Sequence, residues 1–242
     1  MASQNSPHTT ISSSQEEWEA WHARRLASVT APTGNLALVE TRWQSDDNEI
    51  TIEEALVGQP ATVTVAKHKR EDFDGNIIAK GVRIWDANSE AIQAFEGIDT
   101  YPFDPAWIFE GVFIPHPESR AVAFEYVRET PEHRNLPVPG EIKVNIYGVD
   151  YSLDAFDDEG TLLLVFSDPT NGKESYPAGR FLVLPKEENS ERVVIDFNRA
   201  YVPPCGFSMA YNCPLPPPQN RIKIPVRAGE KNPIFRNNYE IH

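Results

Sequence analysis

Cys205 and Cys213 form a C-x7-C pair and are the only cysteines in the chain. Structural zinc asks for four ligands, usually in closely spaced C-x2–4-C pairs. The six histidines, His8, His22, His68, His116, His133 and His242, are scattered, so no zinc pattern forms. A nucleophilic thiol needs an electropositive setting and a nearby base. Arg180, Arg199 or Arg221 could supply the charge, but no histidine lies close in sequence. Cys205 is therefore only a weak catalytic candidate. A disulfide closing this loop would contribute about 2.6 kcal/mol by loop-closure entropy. A reducing compartment opposes it. Two buried thiols are the favoured reading, with a disulfide second.

Anion recognition is the sharper chemistry. Arg180 follows Gly179, which permits close backbone approach, and a guanidinium is the natural fork for a carboxylate or phosphate. Asn198, Tyr201 and Asn220 could donate hydrogen bonds to a ligand there, and Asp196 could act as a base. A structural reading competes at every position. Arg180 could pair with Asp196 or Asp168, and the asparagines could satisfy loop backbone. Asn171-Gly172 reads as a turn. Pro203-Pro204 and Pro214-Leu215-Pro216-Pro217-Pro218 stiffen the segment. Pro214-x-x-Pro217 also fits polyproline recognition by a partner groove. The neighbouring Phe207, Tyr211 and Leu215 favour packing on the chain's own core. Asp99 and Asp104 beside prolines read as turn formers before acid–base groups.

Composition narrows the partners. Lys plus Arg total 22 against 36 for Asp plus Glu, a net charge of −14 over 242 residues. That field repels a phosphate backbone and an anionic bilayer, so neither nucleic acid nor membrane is expected. No apolar run is long enough to span a bilayer, and the N-terminus lacks a signal pattern. A cytoplasmic location is expected. No G-x-S-x-G, P-loop or G-x-G-x-x-G motif is present. No motif indicates a metal, nicotinamide or flavin cofactor, although split-barrel flavin proteins carry weak signals.

The elements that must position these residues are mostly strands. Residues 1–12 read as a disordered polar tail. A helix is expected over 13–30, opened by Ser13-x-x-Glu16 or Ser14-x-x-Glu17 as a capping box. Its Trp18, Trp21, His22 and Leu26 share one face, and Arg24 and Arg25 lie near the negative end of the dipole. From Leu36 on, alternation and closely spaced turns predict an antiparallel, mainly β barrel or sandwich. Leu162–Phe166 is continuously apolar, as in a strand buried on both faces. Leu136–Gly140 is the natural divider between an N-terminal β half (31–135) and a C-terminal β half (136–242). The two halves are expected to form one compact unit.

The segment from Asp168 onward resembles a bacterial and archaeal family of unknown function. The resemblance rests on Asp168-Pro-Thr-Asn-Gly172, Tyr176-x-Ala-Gly-Arg180-Phe-Leu182 and Asp196-Phe-Asn-Arg-Ala-Tyr201. It continues through Pro203-Pro-Cys205-x-Phe207, Cys213-Pro-Leu-Pro-Pro-Pro218-x-Asn220-Arg221 and Ala228-Gly-Glu230. Gly97-Ile-Asp99-x-Tyr-Pro102, Asp104-Pro-Ala-Trp107 and Glu17-Trp18-x-x-Trp21-His22-x-x-Arg25 are similar too. Gln44 to Gly81 departs from the pattern, and Val202 and Gly206 replace Asn and Ala. The resemblance marks residues without supplying an activity. Three functions are consistent with the residues. One is a binding protein for a small anionic molecule beside Arg180 and the Cys205–Asn220 loop. Another is an enzyme on such a metabolite. The third is an interaction module that presents the proline loop to a protein partner.

Overall fold

A computed structural model describes residues 14–44, 49–71, 75–127, 134–158, 160–185 and 190–241. The expected tail over 1–12 lies outside the described residues. In chain order the elements are α1 (Gln15–Val29), β1 (Leu38–Trp43), α2 (Ile52–Leu56), β2 (Val63–Glu71), β3 (Ile77–Asp86), α3 (Glu90–Ala94) and β4 (Phe95–Thr100). Then follow β5 (Ile108–Phe124), β6 (Arg134–Ile146), β7 (Val149–Asp158), β8 (Thr161–Phe166), β9 (Arg180–Leu184), β10 (Arg192–Asp196) and β11 (Glu230–Phe235).

Of the two capping boxes in the sequence, the second opens α1. Ser14 Oγ accepts from Glu17 N at 3.1 Å, and Glu17 Oε2 accepts from Ser14 N at 3.1 Å. Two otherwise orphaned donors are thereby satisfied. Trp18, Trp21, His22, Arg25, Leu26 and Val29 recur at helical spacing and form the face turned to the sheets. Thr51 and Glu54 repeat the box at α2. No helix among the described residues is long and apolar enough to cross a membrane.

The protein is mainly β, and its strands pair antiparallel in three sheets. A three-stranded sheet runs β1-β3-β2, a six-stranded sheet runs β10-β5-β6-β7-β8-β9, and β11 pairs with β4. The six-stranded sheet curls into a half-barrel. Its two edge strands, β9 and β10, approach to within 8 Å between Cα atoms without forming a ladder. Ile142, Leu153, Leu164, Leu182 and Ile195 fill the inside. Leu162, Leu164 and Phe166 join that core, while Val165 packs outward against Phe181 and Cys205. The central strand β8 is thus covered on both faces, as its unbroken apolar run requires. Leu136–Gly140 lies within β6 and pairs there with β5, so the residue-135 boundary falls inside a strand.

Candidate functional site

Arg180 opens β9 and is 0% exposed. Its Nη2 contacts Asp168 Oδ2 at 2.8 Å and donates to Val226 O at 2.7 Å. Its Nη1 donates to Ala228 O at 2.6 Å and Glu230 O at 3.3 Å. Asp168 Oδ1 in turn accepts from Thr170 N and Val226 N. This corrects the expectation of an anion pocket at Arg180. Its donors serve carbonyls of an irregular segment that lacks a ladder of its own, and a buried carboxylate balances its charge.

Asn198 and Asn220 are also fully buried and also serve backbone. Asn198 Nδ2 donates to Asp104 O at 3.0 Å, and its Oδ1 accepts from Asp104 N at 2.9 Å. Asn220 Nδ2 donates to Asp154 O and Val165 O, and its Oδ1 accepts from Asp154 N at 2.7 Å. Both side chains are taken up by backbone groups, which corrects their assignment to a ligand. Asn171 closes its turn through Asp168 N and Tyr176 O, with Gly172 at φ +73°. Cys205 and Cys213 are buried thiols in one apolar cluster, and Cys205 N lies 3.2 Å from Cys213 Sγ. Arg83, distant in sequence, is a cation close to Cys213.

The proline segment packs on the chain itself. Pro214 forms a bridge with Tyr126, and Leu215 N donates to Glu125 O at 2.8 Å. Pro203 and Pro217 are buried, and Pro218 begins a 3-10 turn that presents Asn220. Pro216 sits against Gly179, whose φ is +91°.

Two of the suspected residues do meet a cavity. A groove of about 830 Å³ runs along the seam between β9 and β10. Leu182, Val183 and Leu184 form one wall, and Arg192, Val194 and Asp196 the other. Glu17, Trp21 and Arg25 of α1 cover it, with Tyr201 and Pro204 at one end. The seam exposes backbone as well as side chains. Phe181 exchanges both its backbone hydrogen bonds with Tyr201, at 2.9 and 2.8 Å, on the side away from β8. Val183, two residues on, directs its N–H and C=O the same way. On β10, Glu191 O accepts from Phe113 N of β5. The alternation therefore turns the N–H and C=O of Val194 toward the seam.

The rim of the groove is charged. Arg199 Nε lies 3.4 Å from Asp196 Oδ2, and its Nη2 lies 4.0 Å from Glu17 Oε2. Arg192 pairs with Glu110. Asp196 Oδ1 accepts from Asn198 N and Nδ2, which leaves Oδ2 with the Arg199 ion pair but no hydrogen bond. Arg25 is held by Glu230 and lies 4.9 Å from the centre of the Tyr201 ring. Three guanidiniums thus meet two carboxylates in a lining that is otherwise largely apolar. Arg192, Val183 and Val194 carried no signal in the sequence, because an unpaired strand edge is a property of distant segments.

These features define a mainly antiparallel β protein with a curled half-barrel, an N-terminal helix and a groove at the open seam. Residues 93–231 match the family model described as Protein of unknown function (DUF1684), and the chain belongs to that family. A solved structure of an uncharacterised protein from Haloarcula marismortui, determined in solution by NMR, is similar at 29% identity. The match covers 57% of this chain and 77% of that one, with a TM-score of 0.47. No curated protein matches.

Proposed function

We propose that the protein binds a small amphipathic anion in the β9–β10 groove. The observation that carries this reading is the combination of an apolar, strand-edged cleft with a guanidinium-rich rim. Val183, Pro185, Val194 and Trp21 would cover the apolar body of the ligand. Arg199 and Arg192 would meet its anionic head, and the open edges supply further donors and acceptors. The groove adjoins Tyr201 and Pro204, so the family's proline–cysteine loop helps to shape it. We place this activity in the cytoplasm, where the two buried thiols would stay reduced.

Native mass spectrometry of freshly purified protein would reveal a co-purifying anion. Octanoate and decanoate should raise the melting temperature saturably. Val183→Asp should abolish that rise. Val183 is 38% exposed, so the variant should fold. Equal shifts in wild type and variant would sink the reading.

One observation favours catalysis as a second reading. Asp196 belongs to the groove wall and its buried Oδ2 makes no hydrogen bond, so a ligand that drew Arg199 away from it could uncover that oxygen and give it a proton.

A further inference from the structure

We propose that the β9–β10 groove takes an N-acylated amino acid, read through its amide as well as through its acyl chain and carboxylate. This ligand class rests on the anion reading of the groove and narrows it.

β9 already holds one peptide group on its outer edge. Phe181 and Tyr201 form an isolated antiparallel bridge, with both backbone hydrogen bonds made. The next step of such a ladder would pair Val183 with Arg199. That step is missing because Phe197–Arg199 curls into a 3-10 turn, held by Asp196 Oδ1 accepting from Asn198 N at 3.0 Å. The ladder stops after a single pair, and the N–H and C=O of Val183 are left facing the groove.

β10 offers the same groups from the opposite side. Arg192 and Val194 both turn their N–H toward the seam, but Arg192 gives its own to Ser190 Oγ at 3.1 Å. Val194 keeps an N–H and a C=O for the seam. The two strands form no ladder, and among the described residues no hydrogen bond joins Val183 to Val194. Such edges are templates for an added peptide group.

A fatty acid cannot use them both. Its carboxylate only accepts, and its chain neither donates nor accepts. A trans amide fits, because its N–H and C=O point in opposite directions. Lying in the seam, it donates to one edge and accepts from the other, as the peptide groups of an inserted strand do.

The side chains place the rest of the molecule. Val193 and Ile195 point into the core, so Arg192, Val194 and Asp196 alternate to the outer face. Val183 is likewise outward, between the buried Leu182 and Leu184. The acyl chain would run over Val183 and Val194 beneath Trp21. A carboxylate on the carbon next to the amide nitrogen would stay at the rim, where Arg192 and Arg199 supply charge.

Calorimetric titration of the full chain with matched ligands tests this. O-octanoylglycolate differs from N-octanoylglycine only by an oxygen in place of the N–H, and N-octanoylsarcosine carries a methyl there. Each should bind about tenfold more weakly than N-octanoylglycine, because an edge carbonyl loses its donor. On apolar burial alone the two would bind at least as well. Val183→Pro and Val194→Pro each remove an N–H that faces the seam and serves no ladder. Whichever edge donates to the ligand carbonyl, its proline variant should lower the preference for N-octanoylglycine over decanoate. The proposal is overturned if the ester binds as tightly as the amide, or if both proline variants fold and keep the full preference. Decanoate binding with equal ester and amide affinities would leave the anion groove standing and remove the amide from it. Failure of both decanoate and N-octanoylglycine to bind would overturn the groove reading as well.

Discussion

Arg25 of α1 and Glu230 of β11 form an ion pair between residues 205 positions apart, with Nε 3.2 Å from Oε1. The Glu230 side chain is 0% exposed and also accepts from Val202 N at 2.8 Å. Burial pushes its carboxyl up, and Arg25 opposes that rise. The pair locks the helix that covers the groove to the last strand. Removing one partner leaves a buried charge, which typically costs about 3–5 kcal/mol. Arg25→Met should therefore destabilise strongly in urea melts. Adding Glu230→Gln should recover part of the loss, because glutamine can still accept from Val202 N. Strictly additive losses would show that the pair is not coupled.

Arg180 should behave as a structural residue. Its Nη atoms serve three carbonyls and Asp168, a pattern that a lysine ammonium cannot reproduce. Arg180→Lys should lower stability by about 3 kcal/mol or more. Ligand affinity in the groove, measured on whatever fraction remains folded, should stay unchanged. A selective loss of affinity with normal stability would restore Arg180 to the site.

Gly179 has no tolerance for a side chain. A Cβ there would lie 2.5 Å from Pro216 and 2.6 Å from Phe166 O, on a backbone at φ +91°. Strain and overpacking add, so Gly179→Ala should cost about 2–3 kcal/mol. Gly148, at φ +83° with nothing within 4 Å, is the matched control, where alanine meets only the conformational strain. Chemical denaturation of the two variants should rank them in that order.

Local signals in the sequence were reliable where the physics is local. Ser14 and Glu17 cap the helix, and the apolar run of β8 is buried on both faces. Arg25 shows where that stops. Near the end of a helix it reads as a dipole partner, yet it lies on the buried face because Glu230 waits 205 residues away. Arg180 stands out in the sequence, yet the structure commits its donors to the chain's own carbonyls and Asp168. The carbonyls that use its donors belong to residues 226, 228 and 230, which no spacing ties to position 180. The groove was invisible for a related reason: β9 and β10 follow one another in the chain but sit at opposite edges of one sheet.

His68 should dominate part of the acid response. An unfolded histidine takes up its proton near pH 6.5, whereas His68 in the folded protein resists until about pH 4. The unfolded state therefore binds more protons in that window, and stability falls as pH drops from 6.5 toward 4. His22 shifts in the same direction, mainly through burial and then through Arg25, so it adds to the slope. His68→Gln should flatten the slope, most visibly between pH 5 and pH 6 by urea melts. An unchanged slope would place the acid sensitivity elsewhere.

Asp196 separates binding from catalysis in the groove. Asparagine at this position can still accept from Asn198 N through its side-chain oxygen, so the turn that follows β10 should survive at a cost of about 1 kcal/mol. Arg199, however, loses the carboxylate 3.4 Å from its Nε. With that competitor gone, the rim favours anions more, and Asp196→Asn should bind octanoate several-fold more tightly by calorimetry. Weaker binding would mean that Asp196 itself contacts the ligand. If the co-purifying molecule proves to be a substrate, the same variant should hold it yet fail to turn it over. Only the loss of a proton acceptor predicts tighter binding together with lost turnover, since a distorted groove would lose both.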